Sequence, residues 1–345
     1  MSKEKYIDLR SDTVTRPTAG MLQAMFDAEV GDDVFEEDPT IIALEEKSAK
    51  LFGMEAGLFV PSGTMANQIA IRLNTQLQHE IICDKLSHIY YYEGGGTFSN
   101  SGVSIRLLEG NRGRINASQV LQNINDPENI YSAISSLVCI ENTCNKGGGS
   151  YYSASDVLEI SKVCKENKLK LHIDGARIFN ALAESGDSEK DFGSVADTLS
   201  FCFSKGLGAP VGSILLSTKE GVKSARRIRK AFGGGMRQAG YLAAAGIYAL
   251  DHHISRLKED HSRAKIIGNA LSTCSWVEEV IPVETNIIVF RIVEEKSVKK
   301  IIEELLSMRI KAVPFGPRDI RMVTHLDISD SMTDEILSAI KKIRI

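Results

Sequence analysis

Lys170-Leu171-His172-Ile173-Asp174 and Thr198-Leu199-Ser200-Phe201-Cys202-Phe203-Ser204-Lys205-Gly206-Leu207-Gly208-Ala209-Pro210 are the two stretches on which the reading of this chain turns. Each is a short β-rich run ending at an ionisable residue. Asp174 closes the first run. Lys205 follows the second and leads into Gly206-Leu207-Gly208-Ala209-Pro210. Open α/β sheets bind ligands beyond the carboxyl ends of their strands. A single strand-end charge does no more than meet solvent, but an acid and an amine ending two strands of one sheet invite a joint role.

Working outward, the same grammar repeats. Leu58-Phe59-Val60 reads as a strand, Pro61-Ser62-Gly63-Thr64 as a turn and Met65 to Thr75 as a helix. Further strands are expected at Glu80 to Cys83, Ser104 to Leu108, Ser136 to Glu141 and Gly212 to Leu216, with a helix at Ser155 to Glu166. Short β-rich runs alternating with helices predict an α/β fold whose mostly parallel sheet is covered on both faces. Upstream, Ile7 and Leu9 alternate as in a short strand or extended arm. Thr18 to Ala28 reads as a helix, Gly31 to Pro39 as an irregular acidic segment, and Thr40 as the cap of a helix running to Phe52. After about residue 240 come helices at Leu242 to Arg256, Glu259 to Leu271, Val298 to Ser307 and Met332 to Ile343. Strands are expected at Asn286 to Arg291, Ile310 to Val313 and Ile320 to Val323. The expected organisation is a large domain over 1–245, with an arm near 1–17, and a smaller α/β domain over 246–345.

Composition narrows the function classes. A chain of 345 residues suffices for two domains with a large core. Net charge is −4 without a long run of one sign, which argues against a nucleic-acid partner. The basic run Lys223 to Lys230 reads as a solvated helix face. The six cysteines are scattered, as reduced buried thiols are, and Cys139 and Cys144 lack zinc-knuckle spacing. The first residues carry no apolar signal segment, and no stretch approaches the ~20 apolar residues of a membrane span. The expectation is a cytoplasmic protein. Gly147-Gly148-Gly149 lacks the GxGxxG spacing, and the P-loop and HExxH motifs are absent, so neither a nucleotide nor a metal is expected.

The pair of strand-end residues fits pyridoxal phosphate. That cofactor needs a lysine for its aldehyde, a carboxylate facing its pyridine nitrogen, N–H groups at a helix start for its phosphate, and a flat partner for its ring. Lys205 and Asp174 supply the first two. Ser62, Gly63 and Thr64 offer the phosphate seat, although Ser and Thr serve equally as plain helix caps. His88, before Ile89-Tyr90-Tyr91-Tyr92, offers a ring partner, or that aromatic run packs in the core. His172 should share a face with Asp174 in a core or interface role. His252, His253 and His261 read as surface residues, His325 as close to the pocket mouth, and Arg226 and Arg229 as a solvated or subunit-contact face.

Several motifs occur in order: Asp8-Leu9-Arg10-Ser11-Asp12-Thr13-Val14-Thr15-Arg16-Pro17, Gly31-Asp32-Asp33-Val34, Pro61-Ser62-Gly63-Thr64-Met65-Ala66-Asn67, His88-Ile89, Glu141-Asn142-Thr143, His172-Ile173-Asp174-Gly175-Ala176-Arg177, Ser204-Lys205-Gly206-Leu207-Gly208, Gly233-Gly234-Gly235-Met236-Arg237-Gln238 and Arg321-Met322-Val323-Thr324-His325. In these the chain resembles the low-specificity L-threonine aldolases, of the aldolase and β-eliminating lyase group of fold-type I pyridoxal-phosphate enzymes. The resemblance implies a large domain with a mostly parallel seven-stranded sheet and a smaller C-terminal domain. It implies Lys205 as Schiff-base lysine, Asp174 at the pyridine nitrogen, His88 stacked on the ring, Gly63 and Thr64 at the phosphate, and Arg177 near the ring hydroxyl. Ser11 and Arg321 are implied at the substrate carboxylate, and Arg237 at the phosphate, from the same or a neighbouring subunit. The implied assembly is a homotetramer, a dimer of dimers.

Three positions depart from the family pattern. Phe35 and Glu36 stand where tyrosine and glycine are usual, and Cys144 stands where a histidine near the substrate hydroxyl is usual. The changes at Phe35 and Cys144 remove polar groups from the expected pocket. The expected reaction splits the Cα–Cβ bond of a β-hydroxy-α-amino acid to glycine and an aldehyde, with His88 as base. Another pyridoxal-phosphate amino-acid reaction, such as β-elimination or transamination, and a non-catalytic relative with a binding or assembly role are the alternatives.

Overall fold

The computed structural model describes residues 6–343. Its main sheet has seven strands: β1 (Ala56–Val60), β2 (His79–Asp84), β3 (Ser104–Leu108), β4 (Ile134–Glu141), β5 (Lys170–Asp174), β6 (Thr198–Cys202) and β7 (Ser213–Ser217). Their spatial order is β1-β7-β6-β5-β4-β2-β3. The neighbours from β6 across to β3 pair in parallel, and β7 runs antiparallel to both β1 and β6.

The period-2 alternation of the strands sorts this sheet into two faces. Leu171, Ile173, Leu199, Phe201 and Phe203 point into the main core. There Phe201 packs on Phe52 (ring centroids 5.3 Å apart), Phe179 (5.1 Å) and Phe203 (5.1 Å), which fixes the strand that leads to Lys205. The alternate residues His172, Asp174, Thr198 and Ser200 are polar and buried. They face the Gly63–Asn74 helix, whose Asn67 and Asn74 bond to them. Register makes Glu141 of β4 the partner of Asp174, so it belongs to this polar face as well.

The C-terminal region carries an antiparallel sheet in the order Val313–Pro314, Asp319–Val323, Ile287–Ile292, Val277–Val280. The N-terminal arm belongs to it by packing. Ile7–Asp8 pairs in parallel with Ile310–Lys311, and Ile7 and Leu9 are buried with Ile267, Phe290 and Ile301. The arm therefore leaves the smaller core at Leu9 and delivers Ser11 and Asp12 to the large sheet.

Some local expectations need correction. The Pro39–Phe52 helix is capped by Asp38, whose carboxylate accepts from the N–H groups of Thr40 and Ile41, with Pro39 in the first turn. Thr40 instead bonds to the Glu29 carbonyl. His253 and His261 are buried, not surface residues: His253 faces the Leu207 carbonyl, and His261 lies between Glu184 and Asn180. Arg229 is buried too, donating to the Phe59 carbonyl and pairing with Asp33 at 2.9 Å. Among the described residues, no helix is long and apolar enough to cross a membrane.

Candidate active site

Asp174 ends β5 beside Ser200 of β6, and Lys205 follows β6 in a closed loop. That loop is pinned by Gly208 N–H to the Lys205 carbonyl (2.8 Å), Ala209 N–H to the Phe203 carbonyl (3.1 Å) and Phe203 N–H to the Gly212 carbonyl (3.0 Å). Gly212 is required there, because φ is +113° and a Cβ would fall 2.6 Å from the Phe59 ring. The two residues thus stand beyond the same edge of adjacent parallel strands.

Asn67 organises the floor. Its amide nitrogen donates to Asp174 Oδ2 (2.8 Å) and Glu93 Oε1 (2.8 Å), which fixes the amide orientation. Its oxygen faces Ser200 Oγ (3.1 Å) and His172 Nε2 (3.1 Å). His172 Nε2 therefore donates to Asn67, while Nδ1 faces Thr198 Oγ1 (2.9 Å) and the Thr198 carbonyl (3.2 Å). Burial pushes its pKa down to about 4, so it is a neutral support beneath Asp174. Asp174 also accepts from the Ala176 N–H (3.1 Å).

His88 begins the short His88–Tyr91 helix just past β2. Its Nδ1 lies 2.9 Å from Glu93 Oε1, and its ring leans on Tyr92 with centroids 5.3 Å apart. Among the described residues its Nε2 has no hydrogen-bond partner. Burial pulls the His88 pKa down, but Glu93, Asp174 and Glu141 outweigh it and raise the value above the usual 6.5. One ligand-capable atom from each of His88, Glu93 and Asp174 lies within 4.8 Å of the others.

Ser62 caps the Gly63–Asn74 helix through Met65 N–H (3.2 Å). The N–H groups of Gly63 and Thr64 have no partner among the described residues, as expected of a first helical turn. A Cβ on Gly63 would fall 2.7 Å from Cys202 Sγ, so only glycine brings this turn so close to the end of β6. Gly234, in the loop before Arg237, packs against Met65 in the same way.

The arm brings Asp12 against Arg177 in a buried bidentate pair, 2.7 and 2.6 Å. Burial alone would raise the Asp12 pKa, but the charges of Arg177, Lys205 and His325 hold it well below the carboxylate range. Ser11 lies beside it and caps the Asp12–Val14 turn. Arg321, on the Asp319–Val323 strand, donates to Asn145 Oδ1 (2.7 Å) and the Arg10 carbonyl (2.9 Å), while its buried Nε has no partner among the described residues. Burial and the nearby Arg177 lower its pKa to about 10.

Three further expected residues make other contacts in this chain. Cys144 is fully buried, with Sγ against Gly113 and 3.9 Å from Glu141 Oε2. Burial and the Glu141 charge push its thiol well above the ordinary range, so it stays protonated near neutrality. Phe35 is 68% exposed, and its ring lies 5.9 Å from the Arg237 guanidinium. Arg237 pairs with Asp32 at 3.0 Å. None of their hydrogen bonds or ring contacts reaches His88, Asp174 or Arg321. His325 Nε2 donates to the Asp8 carbonyl (2.8 Å), on the arm.

Sequence reasoning missed Asn67, Glu93 and Glu141 as parts of the site. Glu93 had one available signal: Gly94 and Gly95 follow it, both at positive φ, and turn the chain sharply just after the acid. Glu141 had another, as a carboxylate at the end of an otherwise apolar run that parallels the Asp174 strand.

Comparison with known proteins places this geometry. Residues 8–295 match the beta-eliminating lyase family. The chain is 38% identical over 343 residues to a probable low-specificity L-threonine aldolase 2 of Arabidopsis thaliana, covering 98% of this chain and 97% of that one. It is 39% identical over 331 residues to the low specificity L-threonine aldolase of Escherichia coli K12, covering 96% and 97%. In fold it superposes on a Leishmania major threonine aldolase with a TM-score of 0.84 at 20% identity, covering 97% and 99%. Fold and family together define a fold-type I pyridoxal-phosphate enzyme of the carbon–carbon lyase class. Within that class the chain belongs to the beta-eliminating lyase family, in its threonine aldolase group.

Proposed function

We propose that this enzyme cleaves the Cα–Cβ bond of L-threonine, L-allo-threonine or a related β-hydroxy-α-amino acid, releasing glycine and an aldehyde. The observation that carries the reading is His88, oriented by Glu93 and keeping Nε2 open beside Asp174. A retro-aldol cleavage needs a base for the β-hydroxyl proton, and an imidazole with one nitrogen already donated is suited to that task.

The residues present fit pyridoxal phosphate. Lys205 would hold its aldehyde, Asp174 its ring nitrogen, and Ser62, Gly63 and Thr64 its phosphate. His88 is assigned to its ring face, Arg177 to its ring hydroxyl, and Arg237, from this or a neighbouring subunit, to the phosphate. The unpartnered N–H groups of Gly63 and Thr64 and the close approach that only Gly63 permits support this fit. When bound, the cofactor supplies a sink for the electron pair released as a bond to Cα breaks.

The chain's own residues do the rest. Arg321 and Ser11 bind the substrate carboxylate. Arg321 has spent one N–H on Asn145 and one on the Arg10 carbonyl, and its Nε remains for an acid. Holding the carboxylate would fix the orientation of the bonds to Cα, and so which of them is broken. His88 Nε2 takes the β-hydroxyl proton, while Glu93 stabilises the imidazolium that results. Cys144, buried and neutral, leaves that proton transfer to His88. The working form would be a cytoplasmic homotetramer built from dimers.

The deciding experiment is a product assay on cofactor-loaded protein with L-threonine, L-allo-threonine, L-serine and a β-aryl serine. Glycine plus aldehyde supports the reading. Pyruvate and ammonia would replace it with β-elimination, and a keto acid with transamination.

A further inference from the structure

We propose that Glu141 is a positioning residue that holds the proton-accepting histidine and the carboxylate-binding arginine in register with each other. The inference rests on the assignment of His88 and Arg321 made above.

The geometry is a single carboxylate whose two oxygens each hold a backbone N–H, with the Cys144 thiol a weaker third donor 3.9 Å from Oε2. Glu141 Oε2 accepts the backbone N–H of His88 (2.9 Å), at the start of the short helix that carries the imidazole. Oε1 accepts the backbone N–H of Asn145 (3.0 Å). The Asn145 side-chain oxygen then accepts from Arg321 Nη1 (2.7 Å). One acid at the end of β4 thus ties the histidine of the large sheet to the arginine of the smaller one. It is 4% exposed. A carboxylate serves both N–H donors with equivalent oxygens. A carboxamide of the same shape must turn its NH2 toward one of them, leaving a buried donor facing a donor.

A second route to Arg321 keeps it seated when the first is cut. The Lys146 ammonium lies 4.4 Å from the Tyr91 ring centroid and 5.2 Å from that of Phe315, and the Arg321 guanidinium lies 4.9 Å from Phe315. Loss of the Glu141 tie should therefore misplace Arg321 relative to His88 rather than release it.

The charges around Glu141 make the tie sensitive to pH. It faces Asp174 on β5, Arg177 beyond it, His88 after β2, Cys83 on β2, Cys139 on its own strand and Cys144 in the following loop. Burial and then the Asp174 charge raise its pKa to about 7. Protonation turns one acceptor oxygen into a donor, so the tie loosens as pH falls.

The test uses the cofactor-loaded enzyme and three variants: E141Q, E141D and N145A. Glycine binding, followed by the visible spectrum, reads the carboxylate seat without any cleavage. KM, kcat and the pH profile for L-threonine read the alignment, and thermal unfolding of the apoprotein reads the fold. In E141Q, the glycine Kd and the KM should each rise about tenfold, the loss expected for one buried hydrogen bond. Its acid limb should move to lower pH, because His88 loses a neighbouring negative charge. E141D should fall between E141Q and the native enzyme. N145A should weaken glycine by a similar factor and leave the acid limb in place. An E141Q enzyme with native glycine Kd and native acid limb overturns the proposal. If E141Q does not fold, N145A decides, and an unchanged glycine Kd there overturns it. A native enzyme that binds glycine but releases no aldehyde refutes the cleavage reading instead, and leaves the measurement of the seat intact.

Discussion

His88 Nδ1 lies 2.9 Å from Glu93 Oε1, and Glu93 is itself held by Asn67 (2.8 Å) and Gln68 (2.6 Å). Three donors converge on one buried carboxylate, so Glu93 remains an acceptor and the histidine proton is confined to Nδ1. The nitrogen that faces the site is therefore the basic one.

Replacing Glu93 with glutamine should lower kcat by about a hundredfold, within the range for a disabled general base. The pH profile carries the sign. His88 acts as a base only when neutral, so activity falls as pH drops through its pKa, which stands above the usual 6.5. Removing the Glu93 charge withdraws one of the raising influences, so the acid limb of E93Q should move to lower pH. H88N should lose the limb along with about a hundredfold or more in rate. A normal rate and profile in H88N would remove the base role from that residue.

Lys205→Ala should abolish the visible absorbance of lysine-bound pyridoxal phosphate, with retained absorbance excluding Lys205 as the anchor. Asp174→Ala makes a different prediction. Its floor of Asn67, His172 and Ser200 stays in place, so the variant should keep cofactor and lose turnover. Cofactor content by absorbance and kcat by product assay separate the two effects.

Asp12 and Arg177 form a buried pair whose loss should be felt in stability. D12N leaves the Arg177 guanidinium buried without its charge partner, at a cost of about 3–5 kcal/mol. The pKa of Asp12 is depressed in the folded protein. Its stabilising contribution is therefore complete above the unfolded value of about 3.9 and is lost as pH falls below it. Acid unfolding of the native chain should steepen in that window, and D12N should lack this component. Denaturant titrations at pH 7, 4 and 3 measure both. Equal pH dependence in the two proteins would refute the assignment.

The sheet was legible because its strands are short, apolar and bounded by turns, and because Asp174 and Lys205 mark where two of them end. Alternation also predicted that His172 shares the Asp174 face. What stayed hidden depends on contacts distant in sequence. Nothing local tells Arg229 that Asp33 and the Phe59 carbonyl await it, so a basic helical run reads as solvated. His261 reads as a surface residue until Glu184 and Asn180 close over it. Val277-Glu278-Glu279-Val280 gives no strand signal because it is a partly exposed edge whose middle residues are charged. Glu93 and Glu141 carry local signals of their position but none of their partners. Their roles arise from where the Asn67 helix and the Asn145 loop return to the strand ends.

Cys144 supplies the last test, because the thiol occupies a place that a larger polar side chain does not fit. It is fully buried, and a Cβ on Gly113 would fall 2.1 Å from Sγ, which puts the sulfur against the Gly113 backbone. An imidazole at this position must displace the Gly113 turn or the nearby Glu141 carboxylate. Overpacking of that kind costs about 1–3 kcal/mol. C144H should therefore lower the thermal midpoint and leave kcat/KM for L-threonine no higher than the native value. C144S, which keeps the volume nearly constant, should change stability less. If C144H instead raised kcat/KM at undiminished stability, the substrate pocket would extend to residue 144, and the burial of the thiol would no longer explain why His88 carries the proton alone.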